Sequence, residues 1–150
     1  MRWLLLDDVI IIQKKQFART RSRVPPRSGL WQGSAQASPE LLMMEMMAQT
    51  GALLLGAENN FEEDVVFAKI QEAAFQPGLQ PGELIEIEIT SESLRPEGAW
   101  MDGSIQNSRG EAGRAKFFLV NVGHLVPDRN EPVTFHDAFM NAFQIRDKVK

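Results

Sequence analysis

Two periods of hydrophobic spacing run through this chain, and each change of period marks a new element. Ile85, Ile87 and Ile89 alternate with Glu86, Glu88 and Thr90, the period of two expected of a strand with one wet face. Residues 3–12 read as a buried apolar strand. Residues 16–24 read as a second strand, in which Phe17 opens an alternation with Arg19, Arg21 and Arg23, and Lys14-Lys15 makes the turn between the two. From Pro25 to Ala37 the chain changes to Pro, Gly, Ser, Gln and Arg, a loop of thirteen residues, and that length invites a functional reason.

Ser38-Pro39-Glu40 is a helix start: Ser accepts from orphan amides, Pro has φ preset for the first turn, and an acid suits the positive end. The helix is predicted from Pro39 to about Leu55, with Gly56 as its stop. Apolar side chains fall on every side of it, so neighbours must surround it. Strands follow at 65–70, through Ile85–Ile89, and at about 99–107 and 112–122. Gln76-Pro77-Gly78 and Pro81-Gly82 punctuate the chain, and Asn107-Ser108-Arg109-Gly110 makes a hairpin-like turn. Phe135, Phe139 and Phe143, spaced by four, point to a short amphipathic C-terminal helix. One long buried helix among five or six antiparallel strands is an α+β arrangement, in which a curved sheet must wrap the helix. The expected organisation is a domain at 1–123 with a C-terminal extension, 124–150, packed on it.

Composition narrows the function. A chain of 150 residues with 43% hydrophobic content forms one sizeable core. Cysteine is absent, which removes disulfides, thiolate metal sites and thiol nucleophiles and suits the cytoplasm. The apolar residues 3–6 and 9–12 are interrupted by Asp7 and Asp8 and read as a strand rather than a signal peptide. The run Leu41–Leu55 is broken by Glu45, Gln49 and Thr50, so no membrane span is expected. A net charge of −4 argues against general nucleic-acid binding. Two histidines, His124 and His136, form no metal-ligand cluster, and neither a metal nor a cofactor is expected.

Glu45 stands out as the sole ionisable side chain between Glu40 and Glu58, within an otherwise apolar helix. Burying a lone carboxylate is costly, so its pKa should rise or it should find donors. Gln49, four residues on, lies on the same face within hydrogen-bonding reach. Glu45 is then a catalytic or substrate-facing acid, or else a helix edge reaching solvent or a structural bond to a facing strand; the residues alone leave this open. Met43, Met44, Met46 and Met47 fit either a plastic acyl pocket or plain core. Arg19, Arg21, Arg23 and Arg27 fit either a basic face for an acidic carrier protein or a solvated strand. Surface or capping roles suit the two histidines.

The segment PELLMMEMMAQTGALLLG, Pro39 to Gly56, resembles the central helix of bacterial 3-hydroxyacyl-[acyl-carrier-protein] dehydratases, with Glu45, Ala48 and Gln49 matching. Leu4-Leu5-Leu6-Asp7, Phe67-Ala68-Lys69-Ile70, Pro81-Gly82-Glu83 and Gly113 to Val122 follow the same family in order, so the resemblance covers about residues 4–122. It implies the hot-dog fold, acyl-carrier-protein or coenzyme A thioesters as substrates in fatty-acid or polyketide-type metabolism, and dimers or higher oligomers joined through strand edges with two sites at the interface. The family places a histidine, within Gly-His-Phe-Pro-Gly, fourteen residues before the glutamate. Trp31 holds that position here, and no histidine occurs in 1–123. In that family the histidine removes the proton beside the thioester carbonyl while the acid protonates the leaving hydroxyl. The resemblance places Trp31, Gly29 and Gly33 at the substrate, the glycines presenting backbone amides to a thioester oxygen. It also makes Arg19, Arg21 and Arg23 candidates for the carrier.

Three readings follow. The chain is a dehydratase-like subunit that binds acyl thioesters, impaired alone or paired with a histidine-bearing homologous subunit. Alternatively it is a thioesterase with Glu45 as nucleophile or general base. In the third, it is an active dehydratase with an unusual base such as His124, which requires the C-terminal tail to fold back over the site.

Overall fold

The computed structural model of the protein describes residues 4–26 and 38–150. Six antiparallel strands form one sheet in the order β1-β2-β4-β5-β6-β3, comprising β1 Asp8–Gln13, β2 Phe17–Arg23, β3 Val65–Phe75, β4 Leu84–Ser91, β5 Gly98–Asn107 and β6 Gly110–Asn121. The long helix α1, Pro39–Gly56, packs against every strand, and the core lies between its Met and Leu side chains and the inward residues of the sheet. Its start is as expected: Ser38 caps the first turn, accepting from the Leu41 N–H, and Pro39 follows. Among the described residues no helix is long and apolar enough to cross a membrane.

The alternating strand β4 lies between β2 and β5, as its pattern requires, with Ile85, Ile87 and Ile89 buried. Inward from β2, Thr20 bonds Thr50 of α1 at 2.7 Å, which satisfies a hydroxyl that burial would otherwise penalise. The β5–β6 hairpin turns at the expected residues, with Gly110 at φ +116 and Asn107 accepting from the Arg109 N–H.

Two expectations change, and a third holds for a different reason. Leu4–Leu6 lie outside β1, because the Leu5 N–H and C=O bond the Gln49 and Ser22 side chains instead of a ladder. β3 runs on to Phe75 rather than ending at residue 70, since β6 pairs with it along its whole length, from Val65↔Asn121 to Phe75↔Gly113. α1 does end at Gly56, but not through a left-handed glycine: Gly56 is helical at φ −61, and a 3-10 turn, Ala57–Asn59, leads to Asn60, which takes the left-handed conformation at φ 58. The reason for Gly56 is packing. A Cβ there would meet Phe135 Cζ at 2.5 Å and Phe61 at 2.9 Å.

After β6 the chain returns across the molecule to α2, Asp137–Ala142, and α3, Ile145–Lys148. Phe135 and Phe139 are buried and Phe143 is partly buried, but only six residues of the stretch are helical, so Phe135 precedes α2 and Phe143 caps its end. The chain end pairs with the β1 edge through Ile12↔Val149 and the Lys150 N–H to Ile12 C=O bond of 2.9 Å.

Candidate active site at Glu45

One stripe of α1 differs from the rest of the helix. Glu45, Ala48, Gln49 and Ala52 recur at spacings of three and four, small or polar where the other faces carry Leu and Met. The small side chains leave space, and a cavity of about 450 Å³ opens over this stripe. Leu4, Val65, Phe67 and Leu119 extend its apolar wall from the sheet side, and Val133 to His136 with Ala138, Phe139 and Ala142 close it from the C-terminal segment. Phe67 is held in place by stacking on Phe117, with ring centroids 5.5 Å apart.

Glu45 is half-buried at this wall, and burial raises its carboxyl above the usual range, while the bond from Gln49 acts in the opposite direction. The Gln49 amide is oriented by its surroundings: Oε1 accepts from the Leu5 N–H at 3.0 Å, so Nε2 donates to Glu45 Oε1 at 3.1 Å. Leu5, drawn out of the β ladder, thus positions the amide that positions the acid. A carboxyl that tends to keep its proton beside an apolar cavity is suited to general-acid work.

A clamp fixes the opposite wall. Asp64 is fully buried, and its carboxylate accepts from the Leu125 N–H at 2.8 Å and the Thr134 N–H at 2.7 Å. The Thr134 hydroxyl in turn accepts from the Val65 N–H at 3.1 Å. Burial pushes the Asp64 carboxyl upward, but these backbone donors outweigh it and hold the group below the usual carboxylate range. Phe135 then seats against Gly56 and Phe61, its ring meeting Phe61 edge-on at 5.2 Å. Asp64 has a faint signal in the sequence, the last of three consecutive acids, Glu62-Glu63-Asp64, directly before the strand; its partners lie too far along the chain to be read there.

The structure brings Glu45 and Gln49 together, as their spacing predicts. Trp31, Gly29 and Gly33 lie outside the described residues, as does Arg27. Arg19, Arg21 and Arg23 are absent from the cavity wall and lie on β2 with their charge engaged by neighbours. Arg19 pairs with Glu88 and, at 3.4 Å, with Glu86; Arg21 lies 3.7 Å from Glu86; Arg23 donates to the Gly82 C=O at 3.0 Å. The C-terminal tail does fold back over the cavity, but the histidine it brings is His136. His124 is exposed and off the wall. His136 also caps α2, as the sequence allowed, its Nδ1 accepting from the Phe139 N–H at 3.3 Å. Its second role at the wall has no sequence signal.

No family model matches the chain. It is 32% identical over 96 residues to the 3-hydroxyacyl-[acyl-carrier-protein] dehydratase FabZ of Latilactobacillus sakei, an alignment covering 61% of this chain and 69% of that protein. Among solved structures it is similar to the dehydratase heterocomplex ApeI:P from Xenorhabdus doucetiae, with a TM-score of 0.62 and 16% identity over 80% of this chain and 84% of that one. A hypothetical thioesterase protein with coenzyme A from Streptococcus pneumoniae TIGR4 is also similar, with a TM-score of 0.57 and 14% identity over 77% and 85%. The helix wrapped by six antiparallel strands is therefore a hot-dog fold, and the chain belongs to the FabZ-like 3-hydroxyacyl-[acyl-carrier-protein] dehydratase family.

Proposed function

We propose that this protein binds acyl thioesters of coenzyme A or an acyl carrier protein, with the acyl chain in the cavity and the thioester beside Glu45, and that it serves as a dehydratase-type subunit in the cytoplasm. The observation that carries the reading is a raised-pKa acid, the one acid among the described residues at the wall of a largely apolar cavity, held by Gln49. Apolar lining with a few convergent polar groups is the usual make-up of a site that holds a chain and orients its head.

In this reading Glu45 is the acid that protonates the hydroxyl leaving from the β carbon, while a base takes the proton beside the carbonyl, giving an enoyl thioester and water. Residues 1–123 contain no histidine to supply that base. A histidine-bearing homologous subunit is the natural source, and the ApeI:P relative is a dehydratase heterocomplex. The outer edge of β3 supports assembly: it ends the sheet, and Lys69 to Ala74 along it are exposed, whereas the chain end partly covers β1. Purified alone, the chain should dehydrate 3-hydroxyacyl thioesters very slowly, and mixing with a histidine-bearing homologue should restore turnover. Robust dehydration by the chain alone would overturn the subunit reading.

The absence of a histidine at the family's position before Glu45 also favours a second reading, in which Glu45 itself acts as nucleophile or general base in thioester hydrolysis, as the name of the Streptococcus pneumoniae neighbour invites. Acyl-coenzyme A hydrolysis by the wild type separates the two.

A further inference from the structure

We propose that His136 is a substrate-binding residue of the same cavity, donating a hydrogen bond from Nε2 to the carbonyl oxygen of the bound thioester. The inference rests on the acyl-thioester reading above and adds to it a residue from the C-terminal segment.

Among the described residues, the polar side chains on the cavity wall are Glu45, Gln49, Thr134 and His136. Three of them are engaged within the protein: Gln49 bonds Leu5 and Glu45, Glu45 accepts from Gln49, and the Thr134 hydroxyl meets both the N–H and C=O of Val65. His136 differs. Its Nδ1 accepts from the Phe139 N–H, which is shared with the His136 C=O at 3.0 Å, and a neutral ring that accepts at Nδ1 carries its proton on Nε2. No group among the described residues accepts from Nε2. The ring therefore meets the cavity as a donor rather than as a base, and what a thioester brings to such a wall is a carbonyl acceptor.

Its position is fixed from both sides. Two residues earlier Thr134 is locked to Asp64 and Val65, Phe135 is seated against Gly56, and three residues later Phe139 is buried in the core. A donor held this firmly loses little freedom on meeting its acceptor, and one aimed at a carbonyl also stabilises negative charge developing on that oxygen.

The test must separate donation from capping. Serine is a good N-cap but presents no N–H of comparable reach, so His136→Ser keeps α2 and removes the donor. Calorimetric titrations would compare hexanoyl-coenzyme A with its thioether analogue S-hexyl-coenzyme A, which lacks the carbonyl. The wild type should bind the thioester about 5–10-fold more tightly than the thioether, the worth of one partly buried hydrogen bond. His136→Ser should bind both equally, with a melting temperature near that of the wild type. If His136→Ser does not fold, His136→Gln decides, because its amide offers an N–H of similar reach: a retained preference supports the donor, and a lost preference in the folded variant overturns it. A preference that persists in folded His136→Ser, or equal binding of both ligands by the wild type, overturns the inference and leaves the acyl cavity standing. A wild type that binds neither ligand overturns the acyl-thioester reading and this inference with it.

Discussion

Glu45→Gln should lower turnover by about 10²–10⁴-fold while leaving acyl-thioester affinity nearly unchanged, because it removes a transferable proton and keeps the size and hydrogen bonding of the side chain. The loss should appear in whichever reaction the chain supports: dehydration in the assembly with a histidine-bearing homologue, or hydrolysis by the chain alone. Stability should move in the opposite direction. Burial raises the folded pKa of Glu45 above its unfolded value, so above that raised pKa the ionised carboxyl is a cost to the fold. That cost falls away as pH drops through the raised pKa. Glu45→Gln should therefore melt above the wild type at neutral pH, and the gap should close on acidification. A variant that melts lower at all pH values would make Glu45 a structural residue instead.

Asp64→Ala should cost about 3 kcal/mol, since two backbone N–H groups lose a buried, charged acceptor together. For a chain of this size that is a fall of roughly 10 °C in melting temperature. The sign with pH is opposite to that at Glu45. Asp64 titrates lower folded than unfolded, so its contribution is fully present above the ordinary carboxylate range and is lost as pH falls through the depressed folded value. The difference between wild type and variant should shrink only in strong acid. Hydrogen exchange gives the local check: the Leu125 and Thr134 amides should lose protection in the variant ahead of the β4 and β5 amides. Unchanged exchange at those two amides would mean that the clamp does not hold the cavity wall.

Elements governed by local rules were legible in the sequence. The start of α1 follows from Ser38-Pro39, the strand β4 from alternating isoleucines, and the Glu45–Gln49 bond from a spacing of four on one helix face. What escaped depends on residues distant along the chain. Gly56 reads rightly as the helix end, but its packing against Phe135 does not show in the sequence, and β3 reads as short until β6 extends it. Leu4–Leu6 read as strand because their apolar pattern does not show that Ser22 and Gln49 capture the Leu5 backbone. The largest omission is the wall formed by Val133 to Ala142. Its placement depends on Asp64, and no periodicity records a carboxylate that binds backbone groups sixty to seventy residues away. Of the two histidines, sequence reasoning named His124 as the unusual base, whereas the clamp delivers His136.

The central claim is that the cavity beside Glu45 holds an acyl chain, and chain-length dependence tests it most directly. Titrating the protein with saturated acyl-coenzyme A esters of increasing length should show affinity rising by about fourfold per added methylene, the transfer value for a buried CH₂, until the cavity is full. Ala138→Phe adds bulk at an exposed position on the cavity wall and spares the core, so it should bring the plateau to a shorter chain without lowering the melting temperature. Affinity that is independent of chain length in the wild type, or a plateau that does not move in Ala138→Phe, would contradict the account.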